Sequence, residues 1–390
     1  MIVTPVSVRS PTAVRDALLS HGWEGDVASL TAGGLDLAAY HVTGVSRLTQ
    51  ETMVPLASRL GLELVTGEEW LILAGPRARL GAFARPWVQP EPVQALAHAI
   101  GMAMPGDPVT VWPVVGFTIA LDLPVLIGVI NVTPDSFSPT SRAGSPTEVL
   151  RLAGQLLGGG ATVLDLGGES TRPGADPLAP EAEWARIEPA LRALVTHHPT
   201  VPISIDTVHA ATAERAMAAG AAIINDVTAG RHDPRLLEVA ATTGAGLVLS
   251  HSRGALAALA TYDHADYGGD VVRQVAGELR AARTGAFAAG VRAEQVVLDP
   301  GFGFGKTPPQ NWQLLDGLDA IVALGRPVLA AVSRKRFLGL ATGQPIEERD
   351  AATAAACVLA ADRGARLFRV HAPDATRDAL AVVAALHAIR

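Results

Sequence analysis

From about residue 125 onward the chain repeats one alternation eight times, a short β-like apolar run followed by a longer Ala/Leu-rich helical segment. The runs are VLIGVI (125–130), TVLDL (162–166), PISI (202–205), AAIIN (221–225), GLVLS (246–250), VVLD (296–299), PVLAAV (327–332) and RLFRV (366–370). Eight strands, each followed by a helix, define an α/β protein of the (β/α)8 TIM-barrel type; an open doubly wound sheet does not naturally account for eight strictly alternating units. Helix boundaries agree with this reading. Ser145-Pro146-Thr147-Glu148 supplies an N-cap serine, a first-turn proline and a glutamate three residues after the serine, and Gly220 and Gly244 stand where the third and fourth helices should end.

The segment before the barrel reads differently. Residues 1–105 predict a small additional α/β domain: a strand near 2–8, helices near 11–22 and 46–60, a strand pair near 62–74, and helices near 76–85 and 91–103. Pro105-Gly106-Asp107-Pro108 marks the boundary, so that residues 106–390 form the barrel domain. VTVWPVVGFTIAL (109–121) predicts an N-terminal hairpin able to plug the bottom of the barrel.

Several function classes are disfavoured by bulk properties. No uninterrupted apolar stretch approaches the roughly 18–20 residues that cross a bilayer, and the start MIVTPVSVRS lacks a signal-peptide pattern, so no membrane role and a cytoplasmic location are expected. A net charge of −7 argues against nucleic acid as a partner, so an anionic ligand must be held by a local cluster of cations. The single cysteine, Cys357, lies in an Ala-rich run and reads as a buried helical thiol.

Barrel enzymes carry their chemistry at the C-terminal ends of the strands. Those positions here hold Asn131, Asp165 with Glu169, Asp206, Asn225 with Asp226, His251, Asp299, Ser333 with Lys335, and Arg369 with His371. Caps and solvated loops explain any one of these easily and all of them badly. Side-chain alternation puts Ser204 and Asp206 on one face of the third strand and Arg369 and His371 on one face of the last, where the latter two form a cationic or donor pair. Lysine is scarce, with Lys306 and Lys335 against 29 arginines, as though these two places require a compact ammonium. Lys306 lies in the glycine-rich DPGFGFGKT (299–307), which is neither a P-loop, because Pro300 stands where glycine is required, nor a GxGxxG fingerprint. The stretch reads as a mobile loop anchored by Asp299 and close to a ligand, with a loop-ordering role favoured for Lys306.

The segments IGVINVTPDSFS (127–138), DLGGESTRPGA (165–175), SIDT (204–207), IINDVTAG (223–230), LDPGFGFGKT (298–307), VSRK (332–335) and RVH (369–371), in this order, resemble dihydropteroate synthase across roughly residues 115–390. The resemblance implies a transferase of folate biosynthesis and sulfonamide target, condensing 4-aminobenzoate with 7,8-dihydropterin-6-ylmethyl pyrophosphate by a dissociative displacement. It implies pterin binding by Asp206, Asn225, Asp299 and Lys335, with Arg369 over the ring. Asn131, Arg369 and His371 take the diphosphate, and Mg2+ bridges to Asn131. The resemblance also implies that Asp135, Phe137, Thr171, Arg172 and Pro173, with Lys335 and Arg336, build the aminobenzoate pocket and its closing loops. It assigns catalysis to Asn131, Asp206, Lys335, Arg369 and His371, and implies a homodimer.

The chain departs from the family pattern at three places. Pro139 begins the stretch where the family usually has Asp-Gly-Gly, Arg336 replaces the serine after SRK, and Ser250 replaces a methionine before His251. Two other readings remain at this point: a methyltetrahydrofolate–corrinoid methyltransferase barrel, and a pterin-binding barrel without catalysis. The stretch from about Leu35 to Met104 resembles an extension of some longer bacterial synthases that brings no known activity, and structural cover or an oligomer contact is its expected role.

Overall fold

The computed structural model describes residues 1–6, 37–104, 109–132, 145–168 and 178–387. The expected helix near 11–22, the Pro105–Pro108 boundary and the loop residues Asp135, Phe137, Pro139, Glu169, Thr171, Arg172 and Pro173 lie outside them. Two compact units divide the chain: Met1–Asp107 with Ala323–Gly325, and Pro108–Val322 with Arg326–Arg390.

In the first unit, strands β1 (Ile2–Val6), β2 (Leu37–Thr43), β3 (Glu63–Thr66) and β4 (Trp70–Pro76) form an antiparallel sheet in the order β1-β2-β4-β3. Helices α1 (Arg47–Leu60), α2 (Arg77–Phe83) and α3 (Glu91–Ala103) pack on it. Ser46 starts α1 by accepting the Thr49 N–H, and Gly61, at φ 62°, ends it in the left-handed region. Ala38, Tyr40, Val42, Leu71 and Leu73 join Met53, Leu80, Phe83 and Leu96 in one core, while the alternate residues Leu37, Ala39, Ile72 and Ala74 join Val65 in another. The sequence reading did not assign β2, and the cause is this double coverage: a strand buried on both faces loses the polar alternation that reveals half-buried strands.

The second unit is built on eight parallel strands: β7 (Val125–Asn131), β8 (Val163–Gly167), β9 (Ile203–Asp206), β10 (Ile223–Asp226), β11 (Gly246–Ser250), β12 (Val296–Asp299), β13 (Leu329–Ala330) and β14 (Leu367–Val370). Their order, β12-β11-β10-β9-β8-β7-β14-β13, is closed by a parallel bridge between Leu298 and Val328. This is the expected (β/α)8 barrel. β13 is much shorter than its PVLAAV run. Pro327 has no N–H and joins the ladder only by accepting the Leu298 N–H through its carbonyl, at 2.9 Å.

Strand parity sets what faces the barrel axis. Leu164, Leu166, Ile203 and Ile205 pack outward against Val149, Leu152 and Leu156 of helix α4 (Pro146–Gly158) and Ile187, Leu191 and Leu194 of helix α5 (Pro180–His197). Val125, Ile127, Val163, Ile223, Val248, Val297, Leu329 and Leu367 point inward into one apolar layer. That layer is covered by the antiparallel hairpin β5 (Val111–Val114) and β6 (Phe117–Ala120), which contributes Trp112, Val114 and Ile119 and is the plug read from the sequence. Trp112 is fully buried and donates its indole N–H to the Gln295 carbonyl at 2.7 Å. Gly246 makes room for it, since a Cβ there would lie 2.5 Å from Val114 Cγ1 and 2.8 Å from the Trp112 ring.

Candidate active site

One step of two residues along a strand moves from the apolar layer to the opposite mouth. Val163 leads to Asp165, Ile223 to Asn225, Val248 to Ser250, Val297 to Asp299 and Leu367 to Arg369, while β7 runs on past Ile127 to Asn131. Alternation alone therefore delivers a ring of polar side chains to the C-terminal ends of the strands.

Arg369 organises that ring. Its Nε donates to Asp165 Oδ2 at 2.6 Å and a terminal nitrogen donates to Asp206 Oδ2 at 2.8 Å. Asn225 Nδ2 approaches the same Asp165 oxygen at 3.4 Å. The second Asp165 oxygen and the Asn225 amide oxygen are buried without a hydrogen-bond partner, so two acceptors sit beside the guanidinium with capacity to spare. Burial pushes Asp206 up to about 7 against the pull of Arg369, and the neighbouring Asp165 carboxylate adds to the rise. Burial works against the Arg369 charge as well, but Asp165 and Asp206 outweigh it and raise its pKa above the ordinary arginine value. A single guanidinium between two carboxylates leaves an excess negative charge, which a proton on Asp206 relieves.

Asp299 is held on both oxygens, by the Gly301 N–H at 2.7 Å and the Ser250 hydroxyl at 3.1 Å. Burial raises its pKa all the same. The Lys335 ammonium lies 4.2 Å from the centroid of the Phe304 ring. Burial, with Arg369 adding like-charge repulsion, lowers Lys335 to about 8. Preceding it, Arg334 is one of two non-glycine residues with positive φ among the described residues, at 57°. Its guanidinium is gripped by Asp350 at 2.7 and 2.9 Å, and its N–H donates to Thr353 Oγ1 at 3.0 Å. That costly turn separates Ser333 from Lys335.

Ser333 Oγ lies 2.9 Å from His371 Nδ1 and accepts the His371 backbone N–H at 3.2 Å. When the hydroxyl in turn donates to Nδ1, the ring proton is left on Nε2. Burial, then the charges of Arg369, Arg334 and Lys335, lower His371 to about 3. Of the two roles open to the Arg369–His371 pair, His371 is therefore the neutral donor and Arg369 the cation.

The strand-end residues Asn131, Asp165, Asp206, Asn225, Asp299 and Arg369 thus share one mouth. Asp226 departs from this set: its carboxylate accepts the Thr228 N–H and hydroxyl, both at 2.7 Å, and the Gly230 N–H at 2.5 Å, and so shapes its own loop. Arg336 is exposed at the start of the helix Arg336–Thr342, with its guanidinium 5.5 Å from the Tyr262 ring. The glycine-rich stretch also differs from the free loop expected, because Lys306 and Asn311 stitch it from within. Roles for Asp165, Ser250 and Asp350 were not assigned from sequence. Asp165 carried a signal, being a carboxylate at a strand end two residues past an inward valine.

A closed barrel with carboxylates, an amide, a lysine and a shared arginine around its mouth defines a barrel enzyme for a polar, partly anionic small molecule. The family model described as pterin binding enzyme matches residues 127–371. The dihydropteroate synthase of Mycobacterium leprae is 44% identical over 270 residues, 67% of this chain and 94% of that protein. The solved structure of the Xanthomonas albilineans synthase in complex with 7,8-dihydropteroate aligns with a TM-score of 0.61 at 37% identity, covering 72% of this chain and 100% of the other. The synthase of Thermus thermophilus in complex with 4-aminobenzoate aligns with a TM-score of 0.63 at 40% identity, covering 71% and 99%. The chain belongs to the dihydropteroate synthase family of pterin-binding enzymes.

Proposed function

We propose that this chain joins 4-aminobenzoate to 7,8-dihydropterin-6-ylmethyl pyrophosphate, forming 7,8-dihydropteroate and releasing pyrophosphate in folate biosynthesis. The observation that carries the reading is the Asp165–Arg369–Asp206 bridge with the Asn225, Asp299 and Lys335 side chains arranged around the same mouth. A pterin offers an edge of N–H donors and ring acceptors. Carboxylates of Asp206 and Asp299 and the Asn225 amide match that edge, Lys335 donates to the ring carbonyl, and Arg369 covers the ring face. Each of these groups is already desolvated and oriented before the ligand arrives, so little reorganisation opposes binding.

In the reaction, the bond between the pterin methylene carbon and the bridging diphosphate oxygen breaks, and its electron pair leaves with pyrophosphate. The ring system carries the resulting cation until the arylamine nitrogen attacks; that nitrogen then loses one proton to solvent. Arg369 and the His371 Nε2–H stabilise the charge that gathers on the departing oxygens. Such a path requires no strong general base.

Mg2+ fits this arrangement as a passenger on the diphosphate. Among the described residues no group of three or more His, Cys, Asp or Glu side chains could cage a metal. Asn131 Oδ1 stands at the mouth, 3.5 Å from where a Cβ on Gly167 would lie, and is the kind of hard oxygen that supplements phosphate and water ligands. When bound, the ion would neutralise charge on the leaving group.

Asp135, Phe137, Thr171, Arg172 and Pro173 are proposed to close over the aminobenzoate, with Lys335 and Arg336 beside it, excluding water from the cation. A cytoplasmic homodimer is the proposed state, to be checked by sedimentation. The main test is incubation of the purified protein with Mg2+, the pterin pyrophosphate and labelled 4-aminobenzoate. Labelled dihydropteroate is expected; measurable pterin binding without product would overturn the reading.

A further inference from the structure

Lys306 is almost wholly buried, at 1% exposure, and contacts no carboxylate among the described residues. An ammonium has three N–H donors. Here the three nearest acceptors are the Gly301 carbonyl at 2.9 Å, the Phe304 carbonyl at 3.0 Å and His251 Nδ1 at 3.0 Å, with the His251 carbonyl further off at 3.5 Å. His251 can accept there only if its proton sits on Nε2, and Nε2 lies 2.9 Å from Glu278 Oε2 on the helix Val271–Ala288. Arg253 holds the same carboxylate from the other side and covers the Tyr267 ring. A line of contacts thus runs from a half-exposed glutamate through a buried imidazole to a buried ammonium.

The other end of that line is the mouth. Gly301, whose carbonyl Lys306 holds, also donates to Asp299; a Cβ at this position, which has φ 68°, would lie 1.8 Å from the His251 carbonyl oxygen. Phe304, whose carbonyl Lys306 also holds, places its ring under the Lys335 ammonium. Between them Gly303 lies against the Lys335 stem, where a Cβ would come within 2.9 Å of Cδ. The two lysines of the chain are therefore joined through one turn of backbone.

We propose that Lys306 is a positioning residue for Lys335: by drawing in the Gly301 and Phe304 carbonyls it fixes the aromatic ring beneath the Lys335 ammonium, without touching substrate itself. The proposal rests on reading the mouth as the substrate site, but its primary test does not depend on turnover. With two lysines in the chain, protein grown with side-chain-labelled lysine gives two sets of NMR signals, and Lys306→Met leaves those of Lys335 alone. In the unsubstituted protein the Lys335 Cε protons are expected to be shifted upfield by the ring 4.2 Å from the ammonium, and Phe304→Leu defines their position without it. Lys306→Met is expected to move them to the Phe304→Leu position. In the same variant kcat/KM for the pterin substrate should fall on the order of tenfold, about 1.4 kcal/mol. Lys335 signals left unmoved by Lys306→Met would overturn the proposal.

Should Lys306→Met fail to fold, a titration replaces it. His251, Asp299, Lys335, Glu278 and Arg253 face Lys306, and Arg369, Asp299 and Asp206 face Lys335. Asp206→Asn removes a carboxyl placed at about 7, where burial also puts Lys306, while His251 is held at about 4 and Glu278 at about 2 and burial raises Asp299 as well. In that background the Lys335 signals should show a step at the midpoint of the Lys306 signal in addition to their own, which loss of the Asp206 charge moves down from about 8. Absence of the step would refute the coupling. If the unsubstituted protein makes no dihydropteroate, the proposed function fails while the NMR outcome still decides the positioning role.

Discussion

The two ends of the barrel are built by the same strands and obey opposite rules. At the hairpin end, Val163, Ile223, Val248, Val297 and Leu367 meet Trp112, Val114 and Ile119, and the single polar atom of Trp112 is satisfied by Gln295. Two residues further along, the same strands present Asp165, Asn225, Ser250, Asp299 and Arg369, with buried acceptors left open and a carboxyl, a lysine and a histidine all displaced from their ordinary pKa values. The difference separates stability from function. One end contributes apolar burial; the other keeps desolvated polar groups poised at a cost that burial elsewhere offsets.

The largest test of that division is Arg369→Met. It leaves the Asp165 and Asp206 carboxylates facing one another without the cation that holds both. Breaking a buried ion pair from one side costs about 3–5 kcal/mol, and loss of a preorganised charge at a departing group costs about 10²–10³ in kcat. Denaturant melts and steady-state rates should both show the damage. Activity kept within a few-fold would sink the role given to the bridge.

Trp112→Ala is the counterpart at the closed end. Truncating a fully buried tryptophan should lower stability by about 3–5 kcal/mol, read from urea melts, while kcat and both KM values hold at a temperature where the variant remains folded. A kcat loss as large as the Arg369→Met effect would mean that the plug shapes the mouth.

Lys335→Arg keeps the charge and replaces a compact ammonium by a planar fork over the Phe304 ring. A loss of about tenfold to a hundredfold in kcat/KM is expected, about 1.4–2.8 kcal/mol. Near-normal turnover would show that any cation suffices, and that the scarcity of lysine carries no meaning at this position.

Legibility in the sequence followed the same boundary between repeating and non-repeating features. The eight barrel strands were readable because apolar runs recur between capped helices, and Asp206, Asn225, Asp299 and Arg369 because each ends such a run. β2 was not, since burial on both faces erases its alternation. The work of Asp165 was not, because its partner Arg369 lies 204 residues away in sequence and only barrel closure brings them together. The stitching of the glycine-rich stretch was legible only in outline: a loop-ordering role was favoured for Lys306, but nothing in the sequence pointed to the Gly301 and Phe304 carbonyls that it holds.

Acid and base limits of the mouth give a smaller effect. Asp206 accepts through both oxygens and carries its charge only when ionised, so kcat/KM for the pterin substrate should rise as pH passes about 7. Lys335 supplies a charge-assisted donor only when protonated, so kcat/KM should fall as pH passes about 8. The result is a narrow bell set by groups of the free enzyme. Asp206→Asn should abolish the acid limb and leave the alkaline one; an acid limb that survives belongs to another group.

Ser250 gives the finest test, because it sits on the boundary between the two ends. It follows inward Val248 by two residues, is itself buried, and donates to Asp299 at 3.1 Å where related chains were expected to carry a methionine. Ser250→Ala removes one hydrogen bond to a buried carboxylate that keeps its Gly301 partner, so the loss should be about 1 kcal/mol. If Asp299 accepts from the pterin, that loss appears as roughly a fivefold rise in KM for the pterin substrate, with KM for 4-aminobenzoate unchanged. If it appears only in the denaturant midpoint, Ser250 belongs with the packing residues, and the functional end of the barrel begins one residue layer nearer to solvent.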